Sequence, residues 1–515
     1  MAALDGLPNE LVDTIATNLA FEDINNLSLT CKSLRAATIP GIFRAINMTW
    51  DYRARTTPKL ASLLRTLLER PDFIRHVKSI SLYYRGFDFL LEDWEVEDEL
   101  PPYTPALDSD DKKLFEEAIN ASRFARPEDW KQAIFGQRSL KAVVALLLFV
   151  CTNLDTLALD IDFLRSNTFL QEVLRHGSPT SQLCKAQRLP FQKLKRISVG
   201  CESGPETVYA QTLLPRDSFL LLFYLPQVHV LDLSLLPNHP ITSWLEETGV
   251  PFFWPLPVEP VATNLTALRL IRTTAAPHKI DSLLKSTPNL TTLEYDYLSP
   301  SSQAPLDLVS LRSALDHVYL TLEHLVIDYE IFVDEEARDP EYLATVCRGS
   351  IGSLCDFTSL ITLEICLPVL FGQVRPANAP SLAQVLPPNI SAFTLTLIDD
   401  LFDHDAFAHW TNLALLDFIK AYLSGETIDG AHMNYMVDEE EVTWRRSAAP
   451  GWEAATPKLQ KFTFDIRQRS GRYYDDWTWR NPENGLIKAC ELQGLQCILL
   501  NEDEDKLRRP RGLVF

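Results

Sequence analysis

The sequence predicts an α/β chain in which a short N-terminal helical unit is followed by an irregular solenoid of helices and parallel strands. Three observations carry that reading. Leu7, Leu11, Ile15 and Leu19 recur every four residues within "GLPNELVDTIATNL", the spacing of one helical face. The pattern L-x-x-L-x-L, with L any large apolar residue, begins at Val77, Leu154, Leu194, Val228, Leu265, Leu290, Leu322, Leu360, Ile390, Leu459 and Leu495. Between successive starts there is room for a helix.

The helical unit is taken first. Pro8 suits the first helical turn, where its missing N–H would be unpaired anyway, and Glu10 suits the positive end of the helix dipole. Helix one then runs to about Leu19. Asp23 can cap a second segment in which Ile24, Leu27, Cys31 and Leu34 share a face, and a break near Thr30 divides that segment in two. Pro40 and Gly41 are expected to close the unit before Phe43.

Taken together, Leu7-Pro8, Glu10-Leu11, Ile15, Leu19, Asp23-Ile24, Leu27-Ser28, Cys31-Lys32, Leu34-Arg35, Pro40 and Phe43 resemble the F-box, whose pattern runs LP-x-EL, I, L, D-(L/I), L, CK-x-(L/W)-R and P-x-x-F. Leu34 stands where tryptophan is common. The resemblance implies a three-helix unit docking on a Skp-type adaptor of a cullin-RING ubiquitin ligase. Its adaptor-binding residues would be Leu7, Pro8, Glu10, Leu11, Ile15, Leu19, Ile24, Leu27 and Leu34. Burying a Leu or Ile side chain contributes about 1.5–3 kcal/mol, whereas association costs roughly 4–15 kcal/mol in lost freedom. No single anchor therefore suffices.

From Leu154 to Ile390 the repeat starts lie 40, 34, 37, 25, 32, 38 and 30 residues apart, longer and less even than the roughly 20–29 of leucine-rich repeats. Ile280, Leu283 and Leu284 sit on a helix before "TPNL" leads into "LTTLEYD", and Leu308, Leu311, Leu315 and Val318 repeat the arrangement before "LEHLVID". Helix then strand, with a proline or asparagine turn between them, stacks parallel strands. The array resembles the irregular leucine-rich repeats that follow the F-box in many substrate receptors, although the asparagine or cysteine that finishes each consensus turn is absent. The fold class is thus an N-terminal three-helix F-box followed by an irregular leucine-rich-repeat-like α/β solenoid with parallel strands on the concave face; an ordinary α/β domain is the competing reading. The expected divisions are 1–47 for the F-box, 48–150 for a linker with a first repeat-like unit and an acidic loop, 151–500 for the solenoid and 501–515 for a charged tail.

Alternation along the strands places Asp160, Asp232, Glu294, Asp296, Asp328, Glu364 and Asp465 in the groove, against Arg196, Arg269 and Lys461. Glu294, Asp296, Asp328 and Glu364 are the candidates for holding a basic segment of a target; ordinary solvated charges are the bland alternative. A second candidate surface is "IRQRSGRYYDDWTWRNPENG", where Arg472, Tyr474, Trp477 and Trp479 could grip an acidic or phosphorylated peptide or simply cap the last repeats. Two stretches interrupt the array. Residues 91–111 hold nine acids, no bases and three prolines, the composition of a solvated loop. The other lies between Ile390 and Leu459, contains Asp438-Glu439-Glu440-Glu441, and includes "TNLALLDFIKAYLSG", read as a helix ending at Gly425.

Composition narrows the function classes. The net charge of −21 disfavours nucleic acid and anionic membrane as partners and favours basic proteins. Residues ahead of Leu7 hold an acid and no base, unlike a secretory leader, and the longest apolar run, Ala142–Cys151, is about half a membrane span. Nine cysteines without a C-x-x-C pair predict reduced thiols, in cytosol or nucleus, and no zinc site. The bases at Lys506, Arg508, Arg509 and Arg511 are weak evidence for nuclear import. The motifs G-x-S-x-G, G-x-G-x-x-G and H-E-x-x-H and the P-loop are all missing, Asp403-His404-Asp405 reads as a surface feature, and no cofactor is expected. Three readings follow: a substrate receptor of a Skp-cullin-F-box type ligase, non-catalytic in itself, a Skp-binding structural protein without ligase activity, and an enzyme without a recognisable motif.

Overall fold

The computed structural model describes residues 7–51, 59–85, 107–164, 167–178, 189–200, 219–234, 252–273, 275–300, 305–332, 347–397, 410, 412–429, 445–448, 451–465 and 482–500. The chain divides into two compact units, one of Met1–Asp232 with Phe253–Asn264, the other of Leu233–Phe252 with Leu265–Phe515. Most of the acidic stretch 91–111 lies outside the described residues, as do Asp403–Asp405, Asp438–Glu441, the Arg/Trp segment 466–481 and the basic tail.

The first unit opens with three helices, α1 (Asn9–Thr17), α2 (Phe21–Thr30) and α3 (Lys32–Arg44). The break predicted near Thr30 falls at Cys31, which is fully extended and whose sulfur accepts the Leu34 N–H at 3.5 Å. Asp23 does not cap α2. Ala20 is the extended residue before that helix, and Asp23 lies in its first turn, where a carboxylate still favours the helix dipole. Pro40 and Gly41 do not close the unit either, because α3 runs through both. Gly41 packs on the other two helices, its missing Cβ lying 3.7 Å from Ile24 and 3.9 Å from Ala16.

No residue separates α3 from β1 (Ala45–Asp51). Behind it come β2 (Ser79–Arg85), β3 (Thr156–Asp160), β4 (Arg196–Gly200) and β5 (Val230–Ser234), side by side in chain order. β1 to β4 pair in parallel, with Ala45 opposite Ser79, Ser79 opposite Thr156 and Thr156 opposite Arg196. Between strands run α4 (Leu60–Glu69), α5 (Pro71–Ile74), α6 (Ser109–Ser122), capped by the Asp108 carboxylate, and α7 (Leu140–Val150). α7, "LKAVVALLLFV", is apolar all round because it is buried all round. Among the described residues no helix is long and apolar enough to cross a membrane.

The second unit repeats one motif. β6 (Ala267–Thr273), β7 (Thr292–Pro300), β8 (His324–Phe332), β9 (Thr362–Cys366), β10 (Ala392–Thr396), β11 (Lys461–Asp465) and β12 (Gln496–Leu500) lie side by side in chain order, all parallel. One row runs through Thr292, His324, Thr362, Ala392, Lys461 and Gln496. The three apolar residues of the L-x-x-L-x-L pattern are buried at every start from Val77 to Leu459. The last occurrence differs. Cys497, not Ile498, stands opposite Phe462, so the apolar phase slips by one residue at Leu495, on the strand that ends the order and is half-exposed.

Most strand entries of this unit are pinned to the preceding strand by a carbonyl that accepts two N–H groups. The Thr291 carbonyl takes those of Glu323 and His324, that of Glu323 takes Ile361 and Thr362, and that of Ile361 takes Ser391 and Ala392. Polar residues just before the first leucine add cross-repeat bonds: Thr321 Oγ1 donates to Leu290 O at 2.8 Å, and Asn389 Nδ2 donates to Thr358 O at 2.7 Å. These side chains satisfy carbonyls that a turn would otherwise leave open. α8 (Pro277–Lys285) and α9 (Leu308–Leu315) pack on each other, and α10 (Asn412–Ser424) ends at Gly425 with φ 74°, the stop expected there.

Candidate adaptor-docking site

α1 carries two apolar faces, and the smaller side chains are inside. Val12 and Ala16 are 3% and 1% exposed and meet a bundle interior that includes Ile24, Leu34 and Thr38, whose hydroxyl donates to Leu34 O at 2.8 Å. Pro8 precedes the helix instead of occupying its first turn, and its carbonyl accepts the N–H groups of Leu11 and Val12. The stripe Leu7, Leu11, Ile15, Leu19 is not sunk into this interior. Leu11 is 50% exposed, Leu7, Ile15 and Leu19 are half-buried, and Pro8 is exposed. Leu27 on α2 is half-buried. The Glu10 side chain lies outside what the structure describes.

Ile24 and Leu34 differ from expectation. Both are buried within the bundle, where they can support an outer surface but not form one. In their place α2 exposes Phe21 at 62% and Leu29 at 72%. Leu29 falls off the spacing shared by Ile24, Leu27 and Leu34, and Phe21 continues that spacing by one step towards the N-terminus, where it begins α2. A large apolar residue off the buried stripe of a short helix was the available signal for Leu29. Scattered exposed leucines are ordinary; three large apolar side chains on two adjacent short helices are not.

The opposite side of the bundle is anchored. α3 packs on α5, where the Phe43 and Phe73 rings lie 4.8 Å apart. Arg70 stands over the other side of this contact, its guanidinium 4.3 Å from the Phe73 centroid and in a two-point hydrogen bond to Asp72 that holds the carboxyl below its ordinary range.

The target-binding candidates fare unevenly. Asp296 and Asp328 stand opposite each other on β7 and β8 but are 2% and 4% exposed, and Asp160 and Asp465 are buried as well. Alternation gives the side of a strand correctly but not what covers its end. The chain turns into helix directly after Asp160. Asp328 Oδ1 accepts the Tyr329 N–H at 2.9 Å. Glu294 pairs with Arg269 on the next strand at 3.5 Å, which offsets its charge. Glu364 is half-buried between Val326 and Thr394 in the same row. Arg472, Tyr474, Trp477 and Trp479 lie outside the described residues. Among the described residues no group of three His, Cys, Asp or Glu side chains could hold a metal ion.

The helices just described coincide with a family match. Residues 4–38 match the F-box domain, so the chain carries an F-box at its N-terminus, which implies a Skp-type adaptor as partner and through it a cullin. A search of curated proteins returns no match. Among solved structures, a chain in the crystal structure of the Rad7 and Elc1 complex in yeast aligns over 97% of this chain and 94% of its own, at 11% identity and a TM-score of 0.27. That likeness is too loose to carry an argument.

Proposed function

We propose that this chain is the substrate-recognition subunit of a Skp-cullin-F-box type ubiquitin ligase. The supporting observation is that α1 keeps Val12 and Ala16 inside while α1 and α2, both within the matched residues, turn Leu11, Phe21 and Leu29 outward. Leu7, Pro8, Glu10, Leu11, Ile15, Leu19 and Leu27 form the adaptor-facing set, with Ile24 and Leu34 holding the helices behind it. The in-register strands behave as leucine-rich-repeat-like units and hold the target. The excess of acids over bases suits a basic target segment, and Glu364 is the strand residue of choice for meeting it. Chemistry happens on other chains. The receptor's contribution is proximity, which raises the effective concentration of target lysines near the charged ubiquitin-conjugating enzyme.

The test compares proteins captured by the full chain and by a variant carrying Leu7→Asp with Leu11→Asp, identified by mass spectrometry. The adaptor and a cullin should vanish from the variant while target candidates stay and accumulate in cells. An adaptor captured equally by both would overturn the reading. Capture of an adaptor without any cullin would make the chain a structural partner instead.

A further inference from the structure

The end of the second unit holds two thiols that fold and register bring together. The last helix of the chain, Pro482–Leu492, packs on β12 through a short turn in which the Cys490 carbonyl accepts the N–H groups of Gln493 and Leu495 at 3.0 and 2.9 Å. Gly494 takes φ 72° there, which lets the chain reverse at once. Leu486 and Cys490, four residues apart, are the buried face of this helix. Cys497 is opposite Phe462 in the parallel register, and Phe462 is wholly buried, so Cys497 is directed to the same inner side, towards the helix. Both cysteines are free thiols, and they lie close enough for each to shift the other's titration, Cys490 upward and Cys497 downward.

We propose that Cys490 and Cys497 form a reversible disulfide that clamps the last helix to the half-exposed edge strand. The two thiols differ in a way that sets the order of events. Cys490 is fully buried, and its hydrogen bond to Cys497, together with burial, pushes its thiol upward. Cys497 is partly exposed, and the proton offered by Cys490 favours its thiolate, moving it below the ordinary thiol range. Because Cys497 is partly exposed and Cys490 is wholly buried, a dissolved oxidant meets Cys497 first, which makes Cys497 the attacking group and Cys490 the resolving one. The oxidant is a low-molecular-weight disulfide of the glutathione class. The Cys497 thiolate attacks one of its sulfurs, a mixed disulfide forms, and the first thiol leaves as thiolate and takes up a proton. Cys490 then gives up its proton, attacks the Cys497 sulfur and expels the second thiol. Two protein thiols are oxidised and one small disulfide is reduced to two thiols.

The clamp would matter because β12 has no further strand beside it among the described strands. Tying its second residue to the helix above secures the end of the array against fraying, in a manner that depends on redox poise.

The experiment uses the full chain equilibrated with oxidised glutathione, quenched by alkylation and mapped as peptides under non-reducing conditions. The expected product is a Cys490–Cys497 cross-linked peptide that has lost two hydrogens, with hydrogen exchange across 482–500 slowed at least tenfold. A Cys490→Ser variant should stop at the mixed disulfide, one glutathione heavier at Cys497. Before oxidation, a dilute alkylating agent should label Cys497 at least tenfold faster than Cys490 or Cys151, whose burial pushes its thiol up to about 12. A wild-type chain that also accumulates the glutathione adduct, or that keeps Cys497 as a free thiol, would overturn the proposal. Because the wild type alone gives that answer, a folding defect in Cys490→Ser would not obscure it.

Discussion

Leu11, Phe21 and Leu29 in the N-terminal bundle expose 50–72% of their surface, whereas Leu290, Leu322 and Leu360, which open successive strands of the second unit, are wholly buried. Both regions space their apolar residues regularly, so periodicity does not separate them. What separates them is whether the chain itself supplies the opposite wall. An inner repeat strand has a neighbour on each side, and from Val77 to Leu459 every apolar residue of the pattern is buried. A unit of about forty residues cannot cover all its large side chains: it packs Val12, Ala16, Ile24 and Leu34 inside and leaves Leu11, Phe21 and Leu29 out. The bundle thus leaves large apolar side chains of its own short helices outside, whereas the exposed apolar residues of the second unit, such as Val309, Leu320 and Ile361, lie off the repeat pattern.

If that contrast is right, truncating a leucine should affect stability in one region and binding in the other. The largest effect belongs to the repeats. Leu325, buried between Leu293 and Leu363 in its row, should lose about 3 kcal/mol on Leu325→Ala, within the roughly 2–5 kcal/mol of buried leucine truncations, read as a lower urea midpoint. Leu11→Ala comes next. Its unfolding should stay within about 0.5 kcal/mol of the parent while affinity for a Skp-type adaptor falls by tens of fold, about 2 kcal/mol at roughly 1.4 kcal/mol per tenfold. Calorimetry and urea unfolding on one preparation check both quantities. Equal destabilisation by the two substitutions would mean that Leu11 is ordinary core and that the contrast is false. Leu29→Ala sharpens the boundary: lost affinity without lost stability would extend the docking face onto α2.

The repeat was legible because L-x-x-L-x-L records a strand with one face in a continuous core, and from Val77 to Leu459 nothing competes with that rule. At Leu495 the pattern persisted but the register did not, since an edge strand with half-exposed residues constrains its phase weakly. The helical break near Thr30 was legible, and the helix through Pro40 was not, because tertiary packing around Gly41 outweighs the hydrogen bond a proline forgoes. Among site residues, spacing groups Leu7, Leu11, Ile15 and Leu19 on one face of α1, of which Leu11 is exposed and the others are half-buried. The buried roles of Ile24 and Leu34 could not be read from it, since spacing gives a face without saying which wall it meets. Asp296 and Asp328 were misplaced for a related reason: alternation assigns the side of a strand, and solvent access depends on covering chain that is distant in sequence.

The smallest effect tests how the repeats keep register despite lacking the consensus asparagine at the end of each turn. Asn389 stands just before the leading Ile390, and its amide donates to Thr358 O at 2.7 Å, as the Thr321 hydroxyl does to Leu290 O two repeat pairs earlier. Asn389→Ala removes one such bond at a partly exposed site and should lower stability by about 0.5–1 kcal/mol, the usual net worth of one intramolecular hydrogen bond. Asn389→Asp keeps an acceptor but no donor and should do no better. If Asn389→Ala were neutral while Asn389→Asp destabilised, the amide would serve only to avoid charge there, and strand register would rest on the paired backbone N–H groups alone. Adaptor affinity should be untouched in either variant, because the bundle takes no part in this bond.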